Sequence, residues 1–545
     1  MGCTLKVQPF FLNRMHNMRF SSFPAYALFI AVIVICAWFW HKATYGVFTY
    51  ALDDAYIHLA IGKNLAEHGV WGITMYEFSS ASSSPLWTLL LATLYHITGS
   101  WYIYTPLILT IFSAFGIIFM FQKILRHESV TQRRAATALG ILIFCVPLFP
   151  LIAGGMENIL FAFFVICTIY VVLIKKEYMP YAIFIFAFCM TATRYEGAFV
   201  TAALSIPLLY KKKWKTLSLI LLATCIPILA FGLYFYSQGG YFFPNSVLIK
   251  GNINGGIIGI ARGIGYSMKV MIQNYSPFPA LLLFLCGLLY TQFTHKSPRF
   301  SLTCTTVITF VLHLGFAQFG WVYRYEAYLV LMSITTITLS RDTVSIVLSS
   351  NKYSRYVYFL LIACIIGGTI IRSIDGYLLP LRSARDIYLQ QIQMARFIKQ
   401  YFPQSHVVMN DIGAACYYTD IHCVDAYGLA TIDIARAKKA RIYTPFFLEE
   451  YCKKNNVEIA LVYDDWLRSG YMYGKKVPGG IPHSWKHIGT FVLGHNDCAI
   501  GGDKVSCYAI KPEYADTLRH SLQTFAKTMK FGTQSYISIN SMSSQ

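Results

Sequence analysis

From residue 23 to residue 371 the chain repeats one pattern, an apolar run followed by a short polar break, and this repetition limits the fold more than any motif does. A helix needs roughly 20 apolar residues to cross the hydrocarbon core of a bilayer. In lipid every backbone N–H and C=O must be satisfied inside its own segment, so such runs read as spanning helices. They fall at about 23–40, 102–121, 135–152, 158–174, 179–193, 198–210, 216–236, 276–292, 301–319, 327–340 and 356–371, about eleven in all. A hydrophobic fraction of 56% excludes both disorder and an ordinary soluble enzyme.

The net charge of +20 would suggest nucleic acid in a soluble protein, but here the cations sit in the polar breaks, where an excess of Lys and Arg marks the cytoplasmic side. No basic helix or aromatic RNA-binding motif accompanies them, so no nucleic-acid partner is expected. Lys6, Arg14 and Arg19 precede the first run and place the N-terminus in the cytoplasm. That run ends in Trp38-Phe39-Trp40 without a small-residue cleavage site and is a retained span. The run 85–97 is short for a span and reads as a re-entrant or interfacial helix on the outer side, with Pro85 in its first turn and Trp87 in the headgroup belt. The basic breaks 123–134, Lys175 with Lys176, 211–215, Lys296 with Arg299, and 341–355 then all face inside.

The expected fold is a polytopic α-helical membrane domain over 1–371, with its first outer loop at 45–101, followed by an extracytoplasmic soluble mixed α/β domain over 372–525 and a disordered tail over 526–545. The soluble segment alternates short strand-like runs with helical stretches such as 385–399. It holds Cys416, Cys423, Cys452, Cys498 and Cys507, of which Cys498 and Cys507 are the first pair to test for a disulfide, and no cysteine spacing resembles a zinc site. The glycine-rich stretch 251–265 has neither a preceding strand nor a P-loop Lys-Ser/Thr pair, and reads as a flexible loop.

Five carboxylates of the membrane part, Asp53, Asp54, Glu157, Glu196 and Glu326, fall in outer breaks, not in mid-span. An Asp at the bilayer centre costs about 2.5–3.5 kcal/mol, and transporters keep one there only when ions or protons use it. Asp53, Asp54, Glu157, Glu196 and Glu326 instead point to chemistry at the outer interface. Asp53-Asp54 opens a helix, where one Asp is accounted for as an N-cap but capping needs only one. His58 follows Asp54 by one helical turn, placed to orient the carboxylate or meet a phosphate, or simply to lie on the surface. Glu157 and the strings Arg194-Tyr195-Glu196 and Arg324-Tyr325-Glu326 read as local ion pairing and capping or as binding groups. Lys250 closes the string Pro244-Asn245-Ser246 and either snorkels or holds an anion.

In order along the chain, Asp53-Asp54-Ala55-Tyr56-Ile57, Ser84-Pro85-Leu86-Trp87, Gly155-Met156-Glu157, Arg194-Tyr195-Glu196-Gly197, Pro244-Asn245-Ser246 with Lys250, Arg324-Tyr325, Asp411-Ile412-Gly413-Ala414 and 425–429 resemble the membrane-embedded GT-C glycosyltransferases, within them the branch of mycobacterial terminal arabinofuranosyltransferases. Tyr195 stands where that family usually has Pro, and Ser246 where Thr is common. The resemblance implies an inverting transferase of a bacterial inner membrane, taking a sugar from a polyprenyl-phosphate donor to an envelope glycan or glycolipid acceptor on the periplasmic face, with membrane lipids as further partners. It implies Asp53 or Asp54 as catalytic base, Lys250, Arg194, Arg324 and His58 at the donor phosphate, and Glu157, Glu196 and Tyr56 binding or orienting the sugar or acceptor. It implies no definite cofactor; some members of that family need a divalent metal cation, and the paired Asp offers oxygen ligands for one, without a full ligand set in sight. The alternative is a transporter or flippase of lipid-linked sugars, which calls for midplane carboxylates or an inverted repeat.

Overall fold

The computed structural model describes residues 23–174, 179–250, 256–274, 276–349, 352–468, 471–472, 475–476, 480–495, 497–529 and 531–540. Lys175 and Lys176 lie outside them, as does the side chain of Lys250. Among the described residues 4 helical stretches, Phe23–Ala43, Pro85–His127, Trp214–Ser237 and Lys352–Tyr401, are long and apolar enough to cross a membrane, or up to 6 if each of two bent pairs counts as one span. Asn158–Ile174, Pro180–Thr193, Gly197–Tyr210 and Phe300–Phe316 are apolar but shorter. By length and composition the helices therefore support a multi-span membrane protein without reaching the eleven expected.

Arg299 donates to Glu128 and Lys211 Nζ donates to Ser301 Oγ at 3.0 Å, so the basic breaks around 128, 211 and 299 lie together. The largest apolar cluster of the helices runs through Phe121, Leu142, Ile166, Leu285, Phe310 and Leu331. In lipid such packing is held by close van der Waals contact rather than by exclusion of water.

The C-terminal domain is built on a six-stranded mixed sheet in the order His422–Asp425, His406–Met409, Ile459–Val462, Lys504–Ala509, Lys486–Leu493, Ser535–Ile539. The first three strands run parallel and the rest antiparallel. Ile459–Val462 is buried at every position, as a central strand covered on both faces must be. The expectation of a mixed α/β domain agrees with this sheet. The loops leaving the three parallel strands start at Asn410, Ala426 and Tyr463, the edge at which open α/β sheets place their working loops.

Several local expectations give way to tertiary contacts. The composition changes at Arg372, but the helix Lys352–Leu389 runs through it without a break, because Arg372 is buried by Glu326 rather than exposed at a boundary. Within the expected tail, Ser535–Ile539 forms the edge strand, paired to Lys486–Leu493. The helix Gly256–Gln273 occupies most of the stretch read as a glycine-rich loop. Trp87 is fully buried against the first outer loop instead of facing headgroups. Cys498 and Cys507 are both free: Cys507 points into the sheet core, while Cys498 Sγ donates to Ile500 O in a loop.

Candidate active site

The helix Asp53–His68 begins after Leu52, which makes no side-chain cap, and ends on Gly69 in the left-handed conformation. Neither Asp caps this helix. Asp53 turns to the outer domain and caps another one, Gly413–Tyr418: Oδ2 accepts from Gly413 N at 2.5 Å and Oδ1 from Ala414 N at 2.8 Å. A Cβ on Gly413 would come within 2.1 Å of Asp53 O, so glycine is needed for the approach. Asp411 lies in the loop just before the helix Gly413–Tyr418, where its Oδ2 accepts from Gln391 Nε2 at 2.8 Å. Asp53 is only 7% exposed, and burial above all raises its pKa. This contact also puts the acidic pair and the C-terminal domain on one side of the membrane domain.

Asp54 points the other way, with its side chain 24% exposed, and Oδ2 accepts from Arg324 Nη2 at 2.5 Å. One turn on, His58 is buried, with Nδ1 3.2 Å from Ser82 Oγ and Nε2 3.6 Å from Glu157 Oε2. Burial is the main influence on His58 and lowers its pKa, outweighing the pull of Glu157 and Asp54. Glu157 is delivered by a turn through Gly155, whose φ of +61° and contact with the Tyr50 ring leave no room for a side chain. Arg194 bridges two carboxylates, donating from Nη1 to Glu157 at 2.6 Å and from Nη2 to Glu196 at 2.5 Å. Burial raises the pKa of both acids, but the Arg194 charge overcomes it and holds each below the ordinary carboxylate value. Tyr325 lies between the two guanidinium groups, 5.5 Å from Arg194 and 5.0 Å from Arg324, a cation–π contact on each side.

Asp54, His58, Glu157, Arg194, Glu196 and Arg324, spread over some 270 residues of sequence, thus form one network. The 243–246 string joins its rim through the Tyr195–Phe243 ring contact at 5.8 Å and the bond from Asn245 N to Ser80 Oγ at 3.4 Å. Lys250 closes the short helix Asn245–Lys250. Tyr56 stands apart: it is fully buried, accepts from Tyr50 N at 3.1 Å, and packs its ring on Tyr417 and Tyr418. Among the buried polar atoms without a hydrogen-bond partner within the described residues are Arg324 Nε and Nη1 and both amide atoms of Asn245. Buried polar groups are rarely left so, and here they offer donors to a polar ligand.

Arg324 is presented by an unusual turn. Gly320, Trp321, Val322 and Tyr323 all have positive φ, between 47° and 87°. A non-glycine residue in that region costs about 1–3 kcal/mol and persists where its surroundings over-determine it. Here Glu326 accepts from Gly320 N at 2.9 Å, Arg372 donates to Tyr323 O at 3.3 Å and to Glu326 at 3.1 Å, and Tyr323 Oη donates to Asp375 at 2.5 Å. Behind this turn lies a cleft of about 520 Å³, mainly apolar, lined by Leu52, Phe278, Phe319, Val322 and Ile500 among others. It adjoins the charged network without containing Asp54, Arg194 or Arg324.

The acidic pair does not offer two carboxylates to one cation. Both Asp53 oxygens take backbone N–H groups and Asp54 takes Arg324. No group of three or more His, Cys, Asp or Glu side chains converges as a metal site among the described residues. Motif reading names Tyr325 and Glu326 only within their strings and gives no place at the site to Gln391 or Arg372, which the structure brings beside it. For Tyr325 the signal was present: an aromatic residue follows the arginine in both Arg194-Tyr195 and Arg324-Tyr325.

Residues 384–508 match the family described as "Domain of unknown function (DUF8728)", which covers the end of the long helix and most of the outer sheet. No curated protein matches the sequence. Among solved structures, apo ArnT from Cupriavidus metallidurans superposes with a TM-score of 0.52 at 13% identity, over 91% of this chain and 99% of that one. ArnT bound to undecaprenyl phosphate gives 0.49 at 11% identity, again over 91% and 99%. The Archaeoglobus fulgidus oligosaccharyltransferase in complex with Zn and sulfate gives 0.43 at 12% identity, over 88% of this chain and 73% of that one. At these identities the first likeness is one of fold: the chain shares the architecture of ArnT along nearly its whole length.

Proposed function

We propose that this protein is an integral membrane inverting glycosyltransferase that moves a sugar from a polyprenyl-phosphate donor to an envelope glycan or glycolipid on the outer face of a bacterial inner membrane. The observation that carries the reading is the Asp54–Arg324–Tyr325–Arg194 network, assembled beneath the outer domain in a fold shared with ArnT. The basic breaks around 128, 211 and 299 lie together, as loops on one cytoplasmic face would, which favours that orientation with the N-terminus inside.

Of the two candidate bases, Asp54 is the one with access. Its carboxylate takes the proton of an acceptor hydroxyl as that oxygen attacks the anomeric carbon. The new C–O bond forms on the face opposite the breaking bond to phosphate, and the lipid phosphate leaves with the electron pair. That leaving group is a stable anion, so no general acid is needed. Arg324 has Nε–H and Nη1–H groups to spare for the phosphate, and its partial transfer from Asp54 to the phosphate restores basicity to Asp54 as the donor binds. Arg194, oriented by Glu157 and Glu196, adds a second positive charge, with Asn245 on the rim, and the motif resemblance adds Lys250 as a further candidate for the phosphate. Preorganised cations aimed at developing charge supply the electrostatic part of catalysis. His58, kept neutral by burial, orients Glu157 through its ring nitrogen. The apolar cleft beside the network suits the lipid chain of such a donor. Likeness to the arabinofuranosyltransferase branch in the motif strings makes a pentofuranose donor the first to try.

The test is transfer in proteoliposomes from a labelled polyprenyl-phosphate sugar to an envelope glycan extract, read by mass spectrometry of the product. A new glycosidic linkage that disappears in Asp54→Asn supports the reading. Movement of the lipid-linked sugar across the bilayer with no new linkage points to the transporter alternative.

A further inference from the structure

Several buried polar atoms that find no hydrogen-bond partner among the described residues lie around the charged network, and they divide by chemistry. Arg324 supplies charged ones, Nε and Nη1, which suit an anion. The others are neutral: both amide atoms of Asn245, Ser246 Oγ, Ser84 Oγ and Tyr195 Oη. Asn245 is wholly buried, at 0% exposure. An Asn at a helix start ordinarily caps N–H groups of its own helix. Here Pro244 O takes the N–H groups of Val247 and Leu248, and Asn245 Oδ1 accepts from no described residue. A buried amide left unpaired costs more than a made bond returns, so such a side chain is kept where something outside the fold completes it.

Two routes tie Asn245 to Glu157. Its backbone N–H reaches Ser80 Oγ at 3.4 Å, and in the same serine run Ser82 Oγ lies 3.2 Å from His58 Nδ1, beside Glu157. By the second route the Phe243 ring meets that of Tyr195, whose neighbour Arg194 donates to Glu157. The C-terminal domain holds the preceding loop still: Arg436 Nη2 donates to Gly239 O at 2.6 Å, and Lys439 Nζ lies 4.3 Å from the Tyr241 ring. We infer that Asn245 reads the sugar of the donor, its carbonyl accepting from one hydroxyl and its NH2 donating to a neighbouring one, while the arginines hold the phosphate. This rests on the reading of the network as a site for a polyprenyl-phosphate sugar. A phosphate oxygen only accepts and would leave Asn245 Oδ1 unpaired, whereas two adjacent hydroxyls use both ends of the amide. The hydroxyls of Ser84, Ser246 and Tyr195 can each donate or accept, as a polyhydroxyl ring requires. Selectivity follows, because a deoxy sugar would leave the buried amide without its partner.

The experiment measures binding to full-length wild type, Asn245→Leu and Asn245→Ser in lipid nanodiscs. The probes are bare polyprenyl phosphate, polyprenyl-phosphate pentofuranose and hexopyranose, and the 2-deoxy and 3-deoxy forms of each. Wild type should hold one of the sugar lipids tighter than bare polyprenyl phosphate by about tenfold or more, the scale of two neutral hydrogen bonds, and lose that margin with a deoxy form. Asn245→Leu should bind that sugar lipid no better than the bare one, with its affinity for bare polyprenyl phosphate unchanged, and Asn245→Ser should fall between. Ligand-free Asn245→Leu should melt no lower than wild type, since no bond within the protein is lost. A wild type that does not prefer any sugar lipid, a preference that survives in Asn245→Leu, an equal loss on bare polyprenyl phosphate, or a lower melting temperature each overturns the inference. Binding needs no turnover, so the two readings fail separately. Sugar preference abolished in Asn245→Leu, with no glycosidic linkage formed by wild type, ends the transferase reading and leaves Asn245 as the sugar reader. A linkage formed with the same sugar selectivity in Asn245→Leu ends this inference alone.

Discussion

Arg324 donates to Asp54 at 2.5 Å, while Asp53, the adjacent residue, faces the backbone of Gly413 and Ala414. Two identical neighbours in sequence thus hold opposite positions, one in the charged network and one in a domain seam. Asp54→Asn should lower transfer by about 10²–10⁴, the range of general-base help. Asp53→Asn presents an amide N–H where two backbone donors need acceptors, and should cost about 1.5–3 kcal/mol of stability. Turnover and thermal melting on both variants separate the roles.

Gly413 has no room for a methyl group against Asp53. Gly413→Ala should open the seam between the outer domain and the first outer loop, so that limited proteolysis cuts near 402–412 in the variant and not in the wild type. Unchanged cleavage would count against the seam.

Arg372 holds the left-handed turn at Gly320–Tyr323 and neutralises Glu326, both side chains being nearly inaccessible at 6% and 1%. Arg372→Met leaves Glu326 buried without its ion pair and should destabilise by about 3–5 kcal/mol. The double variant Arg372→Met, Glu326→Gln should recover part of that loss in thermal melts, because no buried charge remains unpaired.

His58 has a lowered pKa, chiefly from burial. As pH falls through the unfolded-state value of about 6.5, the unfolded chain takes up a proton that folded His58 refuses, so stability drops below that pH. Melting temperatures at about pH 7.5 and 5.5 should differ less in His58→Gln than in the wild type. Asp411 acts with the opposite sign, since its raised pKa favours the folded state at lower pH. The comparison between variant and wild type isolates His58.

Periodicity and charge alone determined that this is a multi-span helical membrane protein with a soluble C-terminal α/β domain, because lipid requires long apolar runs and loops require polarity. The motif strings also contain Asp54, His58, Glu157, Arg194, Glu196 and Arg324, which the fold brings into one network. What only the tertiary structure decided is the division of labour. An Asp at a helix start reads as a cap of its own helix, yet Asp53 caps a helix some 360 residues away, and no local pattern encodes that partner. Likewise 535–539, polar enough to read as a tail, becomes a strand because an edge strand needs only one covered face. Propensity and composition act over a few residues, whereas the choice between two adjacent carboxylates, and between tail and strand, was made by contacts that form only when distant segments pack.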